Sequence, residues 1–198
     1  MNRKTFISFL MALVCLNAAA QTRWQNPLEA GENTIHGRWW NGELKDTYHR
    51  LPPRAEGVVR GAVWNLSKQA AGLSICFHTN SPSIKVRYTV TGGRSMFHMP
   101  STGVSGLDLY ATDAKGQLRW CASRFNVSFK DTINYEFKDI TYFTSEERGY
   151  DFELFLPLYN EVSWMEIGVP EDRELQFIPS NKEDKPIVVY GTSIAQGA

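Results

Sequence analysis

Residues 83–90 read SIKVRYTV, and this stretch decides the fold class of the chain. Every second residue from Ile84 onward is apolar, whereas Lys85, Arg87 and Thr89 between them are polar. A period of two with one polar face is typical of an antiparallel strand that buries one of its faces. The stretch therefore predicts one half-buried strand of an antiparallel sheet.

Short β-rich runs recur along the chain and are separated by turn residues. They are GVVRGAVWNL (57–66), GLSICFHTN (72–80), LDLYATD (107–113), QLRWCASRF (117–125), TINYEFK (132–138), DFELFLPLY (151–159) and SWMEIGVP (163–170). Beyond the N-terminal apolar run, no segment shows a helical period with caps. Many short strands at regular spacing predict a mainly β fold, an antiparallel β-sandwich or jelly roll.

The sandwich is expected to span residues 21–180, and its first part, 21–55, is expected to be a polar lead-in with one or two edge strands. The charged stretch IPSNKEDKP at 178–186 is bounded by prolines and is typical of a linker. The apolar run IVVY (187–190) favours a strand buried on both faces of a parallel sheet. We therefore expect residues 181–198 to be a linker and the start of a second domain of α/β type.

The first twenty residues have the form of a secretory signal peptide. Arg3 and Lys4 supply the positive start, an apolar run follows, and small residues lead to a cleavage position after Ala20. The apolar run is shorter than the roughly 20 residues that a membrane span needs. We expect export to the periplasm or the extracellular space, with no membrane span after signal removal.

Composition argues against several classes of function. The 21 basic residues balance the 21 acidic residues, so there is no electrostatic case for binding nucleic acid or an anionic membrane. The histidines are scattered, and the chain has neither metal-ligand spacing nor a glycine-rich phosphate loop. We predict no metal, no cofactor and no nucleic-acid partner, and the oligomeric state stays open. Cys76 and Cys121 could form a disulfide after export or remain separate thiols.

The stretch YGTSIAQGA (190–198) places Ser193 just past the C-terminal end of the predicted parallel strand. Ligands bind at that edge of open α/β sheets. The free N–H groups of a helix starting there would favour the oxyanion formed when a serine attacks an ester. Gly191 and Gly197 would allow a tight turn and a close approach of substrate. A serine that only caps an ordinary helix is the alternative.

YGTSIAQGA resembles the first sequence block of the SGNH, or GDSL, family of serine esterases and acylhydrolases. Gly106–Tyr110 reads GLDLY, which resembles the G-x-D-L-Y motif of an N-terminal β-sandwich found in a bacterial subset of that family. The resemblance implies a flavodoxin-like SGNH hydrolase domain after the sandwich, with Ser193 as nucleophile and its N–H as one oxyanion donor. It also implies an acyl-ester substrate, and an acylated glycan is the expected kind.

The rest of the family machinery, including an Asp-x-x-His that activates the serine, is expected after residue 198. We therefore expect the chain to be the N-terminal part of a longer esterase and to be inactive by itself, with residues 186–198 loosely packed. Asp46 and His49 have the Asp-x-x-His spacing, but they precede the serine, whereas the family has the serine first. We do not assign them to a catalytic triad.

The stretch from Gly92 to Gly106 lacks strand alternation and is long for a loop in a compact domain. Its residues Arg94, Met96, His98 and Met99 could line the substrate pocket of the esterase, or the loop could simply pack on the sandwich. For Asp108 in the G-x-D-L-Y motif, we predict a structural hydrogen bond to a loop backbone.

The six tryptophans suggest a second class of function, because aromatic faces stack on sugar rings. Trp39 and Trp40 are candidates for such stacking, whereas Trp64, Trp120 and Trp164 lie in strand patterns and are predicted to be core residues. The chain could thus be a non-catalytic carbohydrate-binding module or a structural cap over the esterase site.

Overall fold

The computed structural model describes residues 21–113, 115–123, 127–140, 148–181 and 187–197. The predicted signal peptide lies outside these residues. Eleven strands are described: β1 (Thr22–Gln25), β2 (Ile35–His36), β3 (Ser74–Thr79), β4 (Ile84–Val90), β5 (Asp108–Thr112), β6 (Leu118–Cys121), β7 (Val127–Phe129), β8 (Ile133–Phe137), β9 (Tyr150–Phe155), β10 (Val162–Pro170) and β11 (Gln176–Phe177). The helices are α1 (Gly61–Ser67), α2 (Ser101–Val104) and α3 (Ser193–Gln196), with 3-10 turns at Pro27–Glu29 and Pro53–Ala55.

The strands form two antiparallel sheets. The first sheet has the order β1-β10-β4-β8-β7, and the second has the order β11-β3-β9-β5-β6. The short strand β2 also pairs with β3, at Ile35 and His36, beside the β11 pairing at Gln176 and Phe177. This arrangement confirms the predicted mainly β, antiparallel sandwich, and β1 and β2 confirm that the lead-in contains two strands.

The core lies between the two sheets. Ile84, Val86 and Tyr88 of β4 are buried, as the alternation in SIKVRYTV predicts. From the second sheet, the Phe77 ring stacks on the Phe152 ring with centroids 5.6 Å apart. Both sheets contribute to one continuous hydrophobic cluster, which is the usual arrangement of a two-layer β domain.

The stretch GVVRGAVWNL is not a strand, so that prediction is wrong. Its residues 61–66 lie in α1, which ends one residue later at Ser67, and Val58 is 81% exposed. Among the described strands, none pairs with this stretch. Without a paired strand, the β-propensity of its valines does not produce a strand. Helices therefore do occur among the described residues, but α1 is the longest and has only seven residues.

The run IVVY is not part of any described strand. Its four side chains are between 77% and 93% exposed. A lone parallel strand cannot satisfy its backbone without neighbours. The assignment of residues 181–198 to a second domain stays a prediction.

Candidate active-site surface

The serine of YGTSIAQGA lies at the first position of a short helix. Ser193 begins α3, whose backbone bonds include Ala195 N–H to Thr192 O at 3.0 Å. Gly191 and Gly197 flank the helix on either side, and both are exposed. Gly197 has φ +108° and lies so near Leu158 that an added Cβ would be 3.2 Å from its Cδ1. A glycine is therefore required where α3 ends against the sandwich.

The Gln196 side chain connects α3 to the sandwich. Gln196 Nε2 donates to Gln69 Oε1 at 2.5 Å and to the Leu158 carbonyl oxygen at 2.7 Å. Gln69 follows α1, and Leu158 follows β9. The helix that carries Ser193 therefore lies at the end of the sandwich where these two connections meet.

The Gly92–Gly106 loop is more regular than its sequence predicts. Met96 and Met99 exchange two backbone hydrogen bonds of 2.9 and 3.2 Å, which places Phe97 and His98 at the tip of a tight turn. The Phe97 side chain is fully exposed, and its ring contacts that of His98 with centroids 4.5 Å apart. The loop then continues into α2.

The four predicted pocket residues of this loop differ in their surroundings. Arg94 Nη2 donates to Asp131 Oδ1 at 2.9 Å, and Met96 and His98 are exposed. Met99 is half-buried. The structure brings these residues into one loop, and their role at a substrate pocket stays a prediction.

Asn160 fixes the base of this loop and is a functional candidate that the sequence reasoning missed. Its buried side chain accepts from Gly92 N–H at 2.9 Å and donates to Gly93 O at 2.8 Å and to Ser105 Oγ at 2.7 Å. Its own carbonyl accepts from Ala70 N–H at 3.0 Å. The loop is therefore tied to the connections that hold α3. In the sequence, Asn160 shows only as a polar residue between two predicted strands, which does not indicate its hydrogen-bond partners.

Replacing Asn160 by alanine should destabilise the fold by about 2 kcal/mol, because buried polar partners lose their hydrogen bonds. The same change should speed tryptic cleavage after Arg94, since the loop base is released. Urea unfolding and timed proteolysis measure the two effects. Asn134→Ala is the matched control, because Asn134 is exposed and its side chain donates to the nearby Thr132 carbonyl. Equal cleavage rates in both variants would contradict the anchoring role.

The Asp46–His49 stretch does not form a catalytic pair. His49 Nε2 lies 2.7 Å from Glu161 Oε1, and Asp46 is exposed. Burial raises the pKa of Glu161, but hydrogen bonds from His49 and Thr91 outweigh this effect and hold the pKa below its usual range. Because Glu161 directly follows Asn160, these contacts lie at the same end of the sandwich as the Asn160 hydrogen bonds.

The three tryptophans predicted to be core residues lie outside the buried core cluster. Trp120 is 59% exposed on β6, so its assignment to the core is wrong. It lies on the edge strand of the second sheet and faces outward, away from the first sheet. Trp64 lies on α1 and Trp164 on β10, and both are only half-buried, so their assignment to the core is wrong as well. Trp39 is 64% exposed, and half-buried Trp40 lies under the Arg54 guanidinium at 5.6 Å.

Asp108 accepts from the Trp120 indole N–H at 3.3 Å. Asp108 points outward from β5, so this bond joins it to the neighbouring strand β6, and the predicted bond to a loop backbone stays a prediction.

Cys76 and Cys121 are separate thiols. Burial raises the pKa of Cys76 to about 12 and that of Cys121 to about 11. Both thiols are therefore protonated at neutral pH and poorly reactive. Within the described ranges, no group of three or more acidic, histidine or cysteine side chains could hold a metal ion.

Comparison with known families identifies the chain. Residues 22–175 match the GxDLY family, described as the N-terminus of SGNH-hydrolase-type esterases, and the chain belongs to this family. The matched range ends before Ser193. No curated protein matches the sequence.

Two solved structures are similar to this fold. One is assigned as a GDSL-like lipase from Bacteroides ovatus, with 28% identity and a TM-score of 0.73, over 90% of this chain and 49% of that protein. The other is the salicylyl-acyltransferase SsfX3 from a tetracycline biosynthetic pathway, with 17% identity and a TM-score of 0.50, over 83% of this chain and 44% of that protein. At 17% identity the second shows likeness of fold alone. The chain spans about half the length of either protein. Among the helices that the structure describes, none is long and apolar enough to cross a membrane.

Proposed function

We propose that this chain is the N-terminal part of an exported SGNH-type serine hydrolase that cleaves, or transfers, the acyl group of an oxygen ester. Membership of the GxDLY family and the likeness to a GDSL-like lipase support the reaction class. The signal-peptide pattern supports a periplasmic or extracellular location. An acylated glycan is the substrate we propose.

The packing of α3 on the sandwich is the observation that carries this proposal. Gln196 lies one helical turn after Ser193 and bonds to Gln69 and Leu158. Asn160, two residues after Leu158, holds the base of the Gly92–Gly106 loop. The proposed nucleophile and the proposed pocket loop are thus supported by neighbouring segments of one sandwich end.

The reaction we propose has two steps. Ser193 Oγ attacks the ester carbonyl carbon while a base accepts its proton, and the Ser193 N–H stabilises the oxyanion of the tetrahedral intermediate. Collapse of this intermediate breaks the bond to the alcohol oxygen, which leaves with a proton, and forms an acyl-serine. Water or a second alcohol then attacks the acyl-serine and releases the acid or a new ester. The histidine and aspartate of the base would come from the full-length protein C-terminal to Ser193.

Labelling with a fluorophosphonate, a reagent that reacts with activated serines, tests this proposal on the full-length gene product. Trypsin does not cleave before a proline, so cleavage after Lys182 should release a peptide in which Ser193 is the only serine up to Ala198. We expect the label on this peptide, together with hydrolysis of p-nitrophenyl acetate that the label abolishes. A label on another serine, or hydrolysis that survives full labelling, would overturn the assignment of Ser193.

A further inference from the structure

The outer face of the second sheet carries a group of side chains that the hydrophobic core does not use. We call Asp108, Tyr110, Trp120, Glu153 and Phe155 the outer platform. Asp108 and Trp120 are exposed, and the other three are half-buried. All five occupy the strand positions that alternate with the buried core residues of β5, β6 and β9.

Strand register brings these side chains together. Tyr110 pairs with Trp120 on one side and with Glu153 on the other, and Asp108 pairs with Phe155. Side chains directly opposite each other on one sheet face are in contact range. The outer platform is therefore continuous across three strands.

Contacts within the outer platform hold the aromatic rings in place. The bond from the Trp120 indole to Asp108 fixes the indole over the sheet. The Tyr110 and Phe155 rings meet edge to face, with centroids 5.7 Å apart and an interplanar angle of 86°. Glu153 Oε1 accepts from Ser74 Oγ at 2.8 Å. Aromatic faces fixed beside carboxylate acceptors form a recognition surface with little rotamer freedom left to lose on binding.

Packing explains only half of the family motif. Gly106 has no room for a side chain, and Leu109 is completely buried. Asp108 and Tyr110, by contrast, point away from the core. The two outward side chains of the motif therefore belong to the outer platform rather than to the core.

We propose that the outer platform binds a neutral saccharide chain. A pyranose ring offers an apolar C–H face to an aromatic ring, and its hydroxyl groups donate to carboxylates, where charge-assisted hydrogen bonds are strong. The outward positions of β3, β5, β6 and β9 carry the carboxylates of Asp108 and Glu153, and that of Asp151, which lies 2.7 Å from His78 Nδ1, but no lysine or arginine. Such a face accepts hydroxyl protons and repels polyanions. An extended β-1,4-linked chain suits a sheet surface, because successive rings lie nearly in one ribbon.

This site differs from the sugar-stacking residues expected from the sequence. Trp40 is partly covered by Arg54, and Trp39 and Trp40 lie before β3, outside the outer platform. Binding at the outer platform does not require Ser193, so its failure would leave the proposed hydrolase activity untouched.

Isothermal titration calorimetry of the 198-residue chain with cellohexaose and xylohexaose tests the proposal. We expect binding of at least one of these neutral β-1,4-linked probes. The association constant should fall about tenfold in Trp120→Ala, which is the loss expected for one stacked ring. It should fall less in Asp108→Asn, and Trp120→Phe should recover part of it. Trp39→Ala is the matched control, because Trp39 is a tryptophan of similar exposure outside the platform, and it should bind like the unaltered protein.

Several results would overturn the proposal. They are absence of binding to both probes, equal loss in Trp39→Ala and Trp120→Ala, and concentration-dependent dimers that disappear in Trp120→Ala. Polygalacturonate, which is anionic, should not compete, and competition would contradict the charge argument. The thermal unfolding midpoint of Trp120→Ala should match that of the unaltered protein, because substitutions at exposed positions have little effect on stability.

Discussion

Gly106→Ala should destabilise the sandwich by about 3 kcal/mol, at the upper end of the usual cost of overpacking. A Cβ on Gly106 would lie 2.1 Å from the Thr102 carbonyl oxygen and 2.8 Å from its carbonyl carbon. Both atoms belong to the backbone of α2, so no side-chain rotation relieves the clash. Tyr88 Oη also donates to the Ser105 carbonyl, so the segment is held to the core and cannot move away freely.

Urea unfolding of Gly106→Ala beside Gly61→Ala measures this cost. Gly61 is the matched control, because a Cβ at this position of α1 meets nothing within 4 Å. Alanine favours helices over glycine by up to about 1 kcal/mol, so Gly61→Ala should leave stability unchanged or raise it. A Gly106→Ala variant as stable as the unaltered protein would show that α2 can shift, and our account of the motif glycine would then be wrong.

The mainly β fold could be predicted from the sequence because the alternation of apolar and polar residues along a strand follows the alternation of buried and exposed side chains. β4 follows the pattern of SIKVRYTV residue by residue. The same reasoning failed for GVVRGAVWNL, since valines and aromatic side chains favour a strand only where a neighbouring strand can pair with them. It failed again for Trp120, because alternation separates two faces but does not reveal which of them the second layer covers.

The site was less predictable than the fold. The proposed nucleophile Ser193 and its flanking glycines could be named from the sequence because they are close together in one motif. Asn160 could not, since its hydrogen bonds join it to Gly92, Gly93 and Ser105, which are distant in sequence. A residue that bonds to such distant partners depends on tertiary contacts, which no local sequence pattern encodes. Gln69 is hidden for the same reason, because its partner Gln196 is 127 residues further along the chain.

Ser193→Ala should abolish ester hydrolysis by the full-length gene product, with kcat falling on the order of 10⁴-fold or more, as when the nucleophile of a serine triad is removed. Alanine lacks the oxygen that forms the acyl-serine, so no base can restore the covalent step. Substrate binding should survive, because the proposed pocket loop is held by Asn160. Stability should also be unchanged, since the Gln196 side chain ties α3 to the sandwich. Initial rates on p-nitrophenyl acetate give kcat and KM.

A matched control separates loss of the nucleophile from a general effect of removing a hydroxyl group. Ser163 is exposed on β10 and bonds to Thr89, so Ser163→Ala should keep full activity. If Ser193→Ala retained more than about a tenth of the rate, the loss would be below 1.4 kcal/mol of transition-state stabilisation, too little for a covalent nucleophile. Ser193 would then be no more than the first residue of a helix, and the hydrolase proposal would need another serine. Loss of activity in Ser193→Ala but not in Ser163→Ala would instead place the covalent step on α3. This helix packs at the end of the sandwich where Asn160 and Gln69 make their hydrogen bonds.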